Sequence, residues 1–138
     1  MPEYRAIRDK LSFVEMCGRP DVAAEITLQP VRRHGVDAAV LYSDIVVPPH
    51  AVGFGIDVAP GTGPVAEHAL RSSADLARLR PLELADIQYV TDTVSILSRE
   101  LTVPLLAFAG APFTVASYLI EGRPSRTYQN TKKMMHTD

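Results

Sequence analysis

The sequence is poor in several features that would assign a protein to a specialised class. It has a single cysteine, Cys17, so an internal disulfide framework is excluded and a reducing cytoplasm is the compartment that fits. It has no long uninterrupted apolar run that could span a membrane, and its start, MPEYRAIRDK, lacks the apolar core of a signal peptide. It has no basic excess: 14 Lys and Arg stand against 16 Asp and Glu, a formal charge of −2, which argues against general nucleic-acid binding. An anionic ligand would have to be held by a local cluster of arginines. The four histidines, His34, His50, His68 and His136, lack close metal-ligand spacing, so no zinc site is expected within this span.

What is present is an ordinary globular balance. Hydrophobic residues make up 46% and charged ones 22% of 138 residues, enough for one domain with a real core. Residues 19–35, RPDVAAEITLQPVRRHG, read as a helix with Asp21 as N-cap and Gly35 as the stop. Val22, Ile26, Leu28 and Val31 form its apolar side, and Pro30 is expected to kink it. Arg32, Arg33 and His34 complement the dipole at its end. DAAVLYSD (37–44) reads as a buried strand. In the Gly- and Pro-rich stretch 52–64 we expect a short hairpin near Ile56–Ala59, then an exposed loop. A short helix capped by Ser73 follows. Residues 83–101 read as the longest helix, with Ile87, Val90, Val94, Leu97 and Leu101 on one face. TVPLLAFAG (102–110) is a second buried strand. A helix opened by Pro112 and closed by Gly122 comes next, and 125–138 reads as another helix.

Both strands are apolar throughout, the pattern of strands buried on both faces in a parallel sheet covered by helices. A doubly wound sheet and a (β/α)₈ barrel both satisfy it. No G-x-G-x-x-G follows either strand, so the dinucleotide-binding version loses ground. In a barrel, functional side chains sit at the C-terminal ends of strands. Asp44 has such a place, as has the turn Gly110-Ala111-Pro112. A lone carboxylate between Leu41 and Val47, with no cation nearby in sequence, is costly if buried. Either Asp44 lies in solvent at a strand end, or it waits for a ligand that brings donors.

PEYRAIR (2–8), LQP (28–30), DAAVLYSDIVVPPHAVG (37–53) and FAGAPFTVASYLIEG (108–122) together resemble the uroporphyrinogen decarboxylases, cytoplasmic lyases of haem biosynthesis. The specific part of the resemblance is YSDI followed, at the expected separation, by GAPFT…SY…EG. It runs in order along the whole chain and implies one domain over 1–138, the first strands and helices of a partial (β/α)₈ TIM barrel. It implies decarboxylation of the four acetate arms of uroporphyrinogen III to coproporphyrinogen III, in a homodimer whose clefts face each other. Nucleic-acid and membrane partners are not implied, nor is a cofactor, because the protonated pyrrole is itself the electron sink.

The resemblance also implies roles for three residues. Asp44 matches the aspartate that accepts hydrogen bonds from the pyrrole N–H groups and stabilises the cationic intermediate. Tyr118 matches a tyrosine that binds a substrate carboxylate near the reacting arm. Arg8 matches an arginine that pairs with substrate carboxylates, a task suited to a guanidinium fork. The family's RQAGRYL stretch with its two arginines, which precedes PEYR, is missing before Met1. A later serine or threonine and a C-terminal histidine of the family site lie beyond Asp138. The expectation is therefore a piece truncated at both ends and inactive alone.

Each residue also has a plainer reading: Asp44 as a cap after a strand, Tyr118 as half-buried packing, Arg8 as a solvated charge, and Cys17 as buried filler. Two other function classes stay open. One is a related zinc-dependent methyltransferase acting on corrinoid or thiol partners, against which YSDI with GAPFT…SY speaks. The other is a non-catalytic truncated product.

Overall fold

Proline at a first helical position costs no hydrogen bond and presets φ, and the chain uses this repeatedly. In the computed structural model, which describes residues 1–136, α1 (Pro2–Arg8), α3 (Pro20–His34) and α6 (Pro112–Glu121) all begin on proline. The remaining elements, in chain order, are α2 (Phe13–Cys17), β1 (Ala39–Val40), α4 (Val47–Ala51), β2 (Ile56–Ala59), β3 (Gly63–Ala66), α5 (Gln88–Glu100), β4 (Leu105–Leu106) and α7 (Gln129–His136). Two 3₁₀ turns, Ser73–Arg78 and Leu84–Ile87, lie between β3 and α5. The fold is mixed α/β with short strands that close no barrel among the described residues. The chain divides into two compact units, each built from two separate segments.

The first unit comprises Met1–Asp44 and Ile87–Ala109. Its core is Ala24, Leu28, Leu41 and Leu97, with Val90, Ile96, Leu101 and Leu105 packed around them. Helix α3 starts with Arg19 as its cap and ends at Gly35, which takes the left-handed conformation (φ 60°). Asp21 is thus not the N-cap: Pro20 occupies the first position and moves the start two residues earlier, leaving Asp21 in the first turn. The helix continues through Pro30 to His34. Strands β1 and β4 pair in parallel, Ala39 opposite Leu105 and Val40 opposite Leu106, as the apolar runs predict.

Two features of this sheet differ from expectation. The strand predicted over 37–44 pairs as a ladder only at Ala39–Val40; the Leu41 N–H still reaches Leu106 O (3.0 Å), and the Tyr42 N–H, on the opposite edge of the chain, goes to the hydroxyl of Thr27 on α3 (2.9 Å). Nor is the sheet buried on both faces. Ala39 and Leu41 point inward, whereas Val40 (59% exposed) and Leu106 (51%) point to solvent, because the described residues cover only one face of this two-stranded pair.

The second unit comprises Ile45–Asp86 and the chain from Gly110 onward. Its core is Val46, Phe54, Ile56, Ala66, Leu70, Leu119 and Ile120. The hairpin expected near Ile56 is β2–β3, antiparallel with Ile56 opposite Ala66 and Ala59 opposite Gly63. Main-chain bonds Ala66 N–H to Gly122 O (2.9 Å) and Leu70 N–H to Leu119 O (2.8 Å) fasten it to the end of α6. Helix α6 stops at Gly122, left-handed at φ 79°, as predicted. Arg71 donates to the carbonyls of Ile120 and Glu121 there, satisfying acceptors that a helix end leaves over. Glu121 in turn accepts from Thr131 N–H, Thr131 Oγ1 and Asn130 Nδ2 and caps the start of α7. Desolvation raises the Glu121 pKa, but these donors outweigh it and hold the carboxyl below its usual range.

Three further predictions need correcting. The cap of the first 3₁₀ turn is Ser72 rather than Ser73. Asp75 fixes that position by accepting from the N–H groups of Arg71 and Ser72 (both 2.9 Å). The segment 83–101 is a 3₁₀ turn followed by α5, so α3 with 15 residues exceeds α5 with 13. Asp86 holds the turn by taking both guanidinium nitrogens of Arg80 (2.7 Å each) and the Glu83 N–H (2.9 Å), a side-chain competitor to the helical ladder. On α5, Thr93 and Leu97 are buried, while Val94 is 37% exposed. The short helices α1, α2 and α4 were not expected. For α2 the signal was present: Ser12 and Glu15 form a capping box, Ser12 N–H to Glu15 Oε2 at 2.7 Å and Glu15 N–H to Ser12 Oγ at 3.3 Å.

Candidate functional site

Asp44 lies in the irregular segment after β1, partly buried, four residues past the last paired residue. That is the C-terminal side of a parallel strand, where α/β folds place ligand-binding groups. The backbone before it is held firmly. The Tyr42 N–H reaches Thr27 Oγ1, and the Thr27 hydroxyl donates to Ala23 O at 2.8 Å. The Tyr42 ring packs between Tyr4 (centroids 6.1 Å apart, edge-on) and Phe13 (5.5 Å, tilted), and its hydroxyl faces Met16 Sδ at 3.8 Å.

Burial pushes the Tyr42 hydroxyl pKa far up. A hydrogen bond with Tyr4, and then the charges of Tyr4, Cys17 and Asp44, act in the same direction. Tyr42 is therefore a protonated hydroxyl throughout the physiological range, close enough to Asp44 to sense its charge. Arg8 ends α1 on the same unit. Its guanidinium is 6.0 Å from the centre of the Tyr4 ring and 3.5 Å from the carboxylate of Asp9, in an exposed pair. The sequence-predicted Arg8 and Asp44 thus belong to one unit: Arg8 lies against Tyr4, Tyr4 against Tyr42, and Tyr42 senses the charge of Asp44.

Tyr118 belongs to the second unit, in the last turn of α6. It is partly buried against the core it shares with Ile45 and Val46, and its carbonyl accepts the Gly122 N–H at 2.9 Å. A cleft of about 490 Å³ in the same unit is lined by Leu70, Arg71, Ser72, Ile120, Lys133 and Met134; none of Arg8, Asp44 and Tyr118 lines it. Among the described residues, no cluster of three or more His, Cys, Asp or Glu side chains is arranged to hold a metal ion, and no helix is long and apolar enough to cross a membrane.

Sequence reasoning missed Thr27, Tyr4 and Tyr42. For Tyr42 the signal was its place inside YSDI. For Thr27 it was a polar residue amid the apolar side of α3, next to LQP.

The sequence profile of the family described as Uroporphyrinogen decarboxylase (URO-D) matches residues 1–138. The chain belongs to the uroporphyrinogen decarboxylase family. Relatives carrying the name uroporphyrinogen decarboxylase include proteins of Streptomyces coelicolor (56% identical, covering 100% of this chain and 39% of the relative) and Salinispora tropica (55%, 100% and 38%). The protein of Streptomyces avermitilis is 53% identical, again over 100% of this chain and 39% of its own length. This chain therefore spans about two fifths of the length of the curated relatives it matches.

Proposed function

We propose that this chain forms the first part of the catalytic barrel of a uroporphyrinogen decarboxylase, which converts uroporphyrinogen III to coproporphyrinogen III. The observation that carries the reading is the family match along all 138 residues, with Asp44 past the end of a parallel strand. In this reading both units belong to one barrel domain, and the assembled enzyme is a cytoplasmic homodimer.

The chemistry asks for what Asp44 can give. A proton adds to a pyrrole carbon next to the acetate arm and makes the ring cationic. The bond to the carboxylate breaks, carbon dioxide leaves, and its electron pair neutralises the ring. A second proton converts the exocyclic methylene to methyl, and the ring returns the first. The net change for each arm is uptake of one proton and loss of one carbon dioxide. A fixed carboxylate facing the pyrrole N–H groups stabilises the cation where it develops. Tyr118 donates a hydrogen bond to a substrate carboxylate, and Arg8 pairs with another.

The test is a chimera in which this chain replaces the matching two fifths of the Streptomyces coelicolor relative. We predict turnover of uroporphyrinogen III by the chimera and a loss of about 10²–10³ or more in rate on Asp44→Asn, the scale for removing one preorganised charge-stabilising group. Near-normal turnover by the Asn variant would remove Asp44 from the chemistry.

A further inference from the structure

A backbone N–H can only donate and a carbonyl can only accept, so the two bonds at Thr27 have fixed directions. Its hydroxyl gives its one proton to Ala23 O (2.8 Å) and must accept the Tyr42 N–H (2.9 Å). Thr27 is 3% exposed, so water does not readily replace it. Its partner Tyr42 is two residues from Asp44, a chain reach of roughly 7 Å at most. The aromatic contacts to Tyr4 and Phe13 hold the Tyr42 side chain while Thr27 holds its main chain.

We propose that Thr27 is a positioning residue: its hydroxyl ties the segment leaving β1 to helix α3 and so sets where the Asp44 carboxylate stands. The proposal rests on the reading of Asp44 as the charge-stabilising group. Valine has the shape of threonine without the hydroxyl, so Thr27→Val removes both bonds and leaves the Tyr42 N–H without its acceptor. A misplacement of about 1 Å near a reacting centre can cost up to 10²-fold in rate.

In the chimera, Thr27→Val is expected to lower kcat about tenfold or more with little change in KM, and Thr27→Ser, which keeps the hydroxyl, to recover most of the loss. In the Asp44→Asn background Thr27→Val is expected to add nothing, because the group it positions is already disabled. If Thr27→Val fails to fold, Thr27→Ala against Thr27→Ser makes the same comparison, since both lack the methyl and only serine keeps the hydroxyl. Equal kcat for that pair, or the same fold loss from Thr27→Val in both backgrounds, overturns the positioning role while Asp44 keeps its own. Near-normal turnover by Asp44→Asn alone overturns the reading of Asp44, and this proposal with it.

Discussion

At the scale of single residues, a charge and a neutral hydroxyl have different tasks in the proposed site. Asp44 faces a developing cation in the proposed reaction, whereas Tyr118 offers one neutral donor that solvent or another group can partly replace. Tyr118→Phe in the chimera is predicted to lose about 1–2 kcal/mol of transition-state binding, around the lower end of the range for a hydrogen bond to a charged group. Comparing kcat/KM of the two variants checks this: a loss as deep as that of Asp44→Asn would make Tyr118 a proton donor instead. Both residues were proposed from short motifs, YSDI and GAPFT…SY, that resemble the decarboxylases. Thr27 was not, because its partner lies 15 residues away along the chain and only the folded backbone brings a hydroxyl on α3 to an amide beyond β1. Arg8 keeps the exposure of a surface charge, and its pairing with Asp9 is of a kind that contributes little to stability.

Among the elements, contacts closer than sequence can show decide what is tolerated. A Cβ at Gly110 would lie 2.4 Å from Val115 Cγ2 and 2.9 Å from Ile45 Cβ, so this glycine is required by close approach where the chain enters α6. Gly110→Ala is predicted to destabilise the protein by about 1–3 kcal/mol, the usual cost of overpacking, and Val115→Ala to restore part of it; denaturant midpoints of the two variants check both. Asp86 gives a pH signature. Hydrogen bonds from Arg80, then that from the Glu83 N–H, lower its pKa from 3.8 to about 2. The folded carboxyl is the stronger acid, so the unfolded chain binds more protons between these values and stability falls as pH drops from about 4 to about 2. Asp86→Asn is predicted to flatten that part of the stability profile; an unchanged slope would show that the pair does not act on folding. The parallel pairing of β1 with β4 and the Gly35 and Gly122 stops were readable from apolar runs and glycines. Strand lengths were not, since both apolar runs continue past the residues that pair. The 3₁₀ start of 84–87 was hidden because Asp86 and Arg80 act through space.

At the scale of the whole molecule, the chain spans about two fifths of its relatives and exposes Val40, Leu106 and Phe108 (46%) on and beside its parallel strands. Exposed apolar strand surface with unpaired edges favours association or a loosely packed state. The apolar runs predict cover on both faces, and the exposure arises because the described residues cover only one of them. It did not anticipate two units that each draw on both halves of the chain, since that division follows from long-range packing around Leu97 and Leu119. The central claim is that this chain carries one part of a decarboxylase site and depends on the rest of a barrel for the reaction. The most direct measurement is coproporphyrinogen formation from uroporphyrinogen III by the purified 138-residue chain beside the chimera. The account predicts no turnover and binding of a hydrophobic dye by the chain alone, with turnover by the chimera; a cooperatively melting 138-residue monomer that forms coproporphyrinogen, or a folded chimera that forms none, would contradict it.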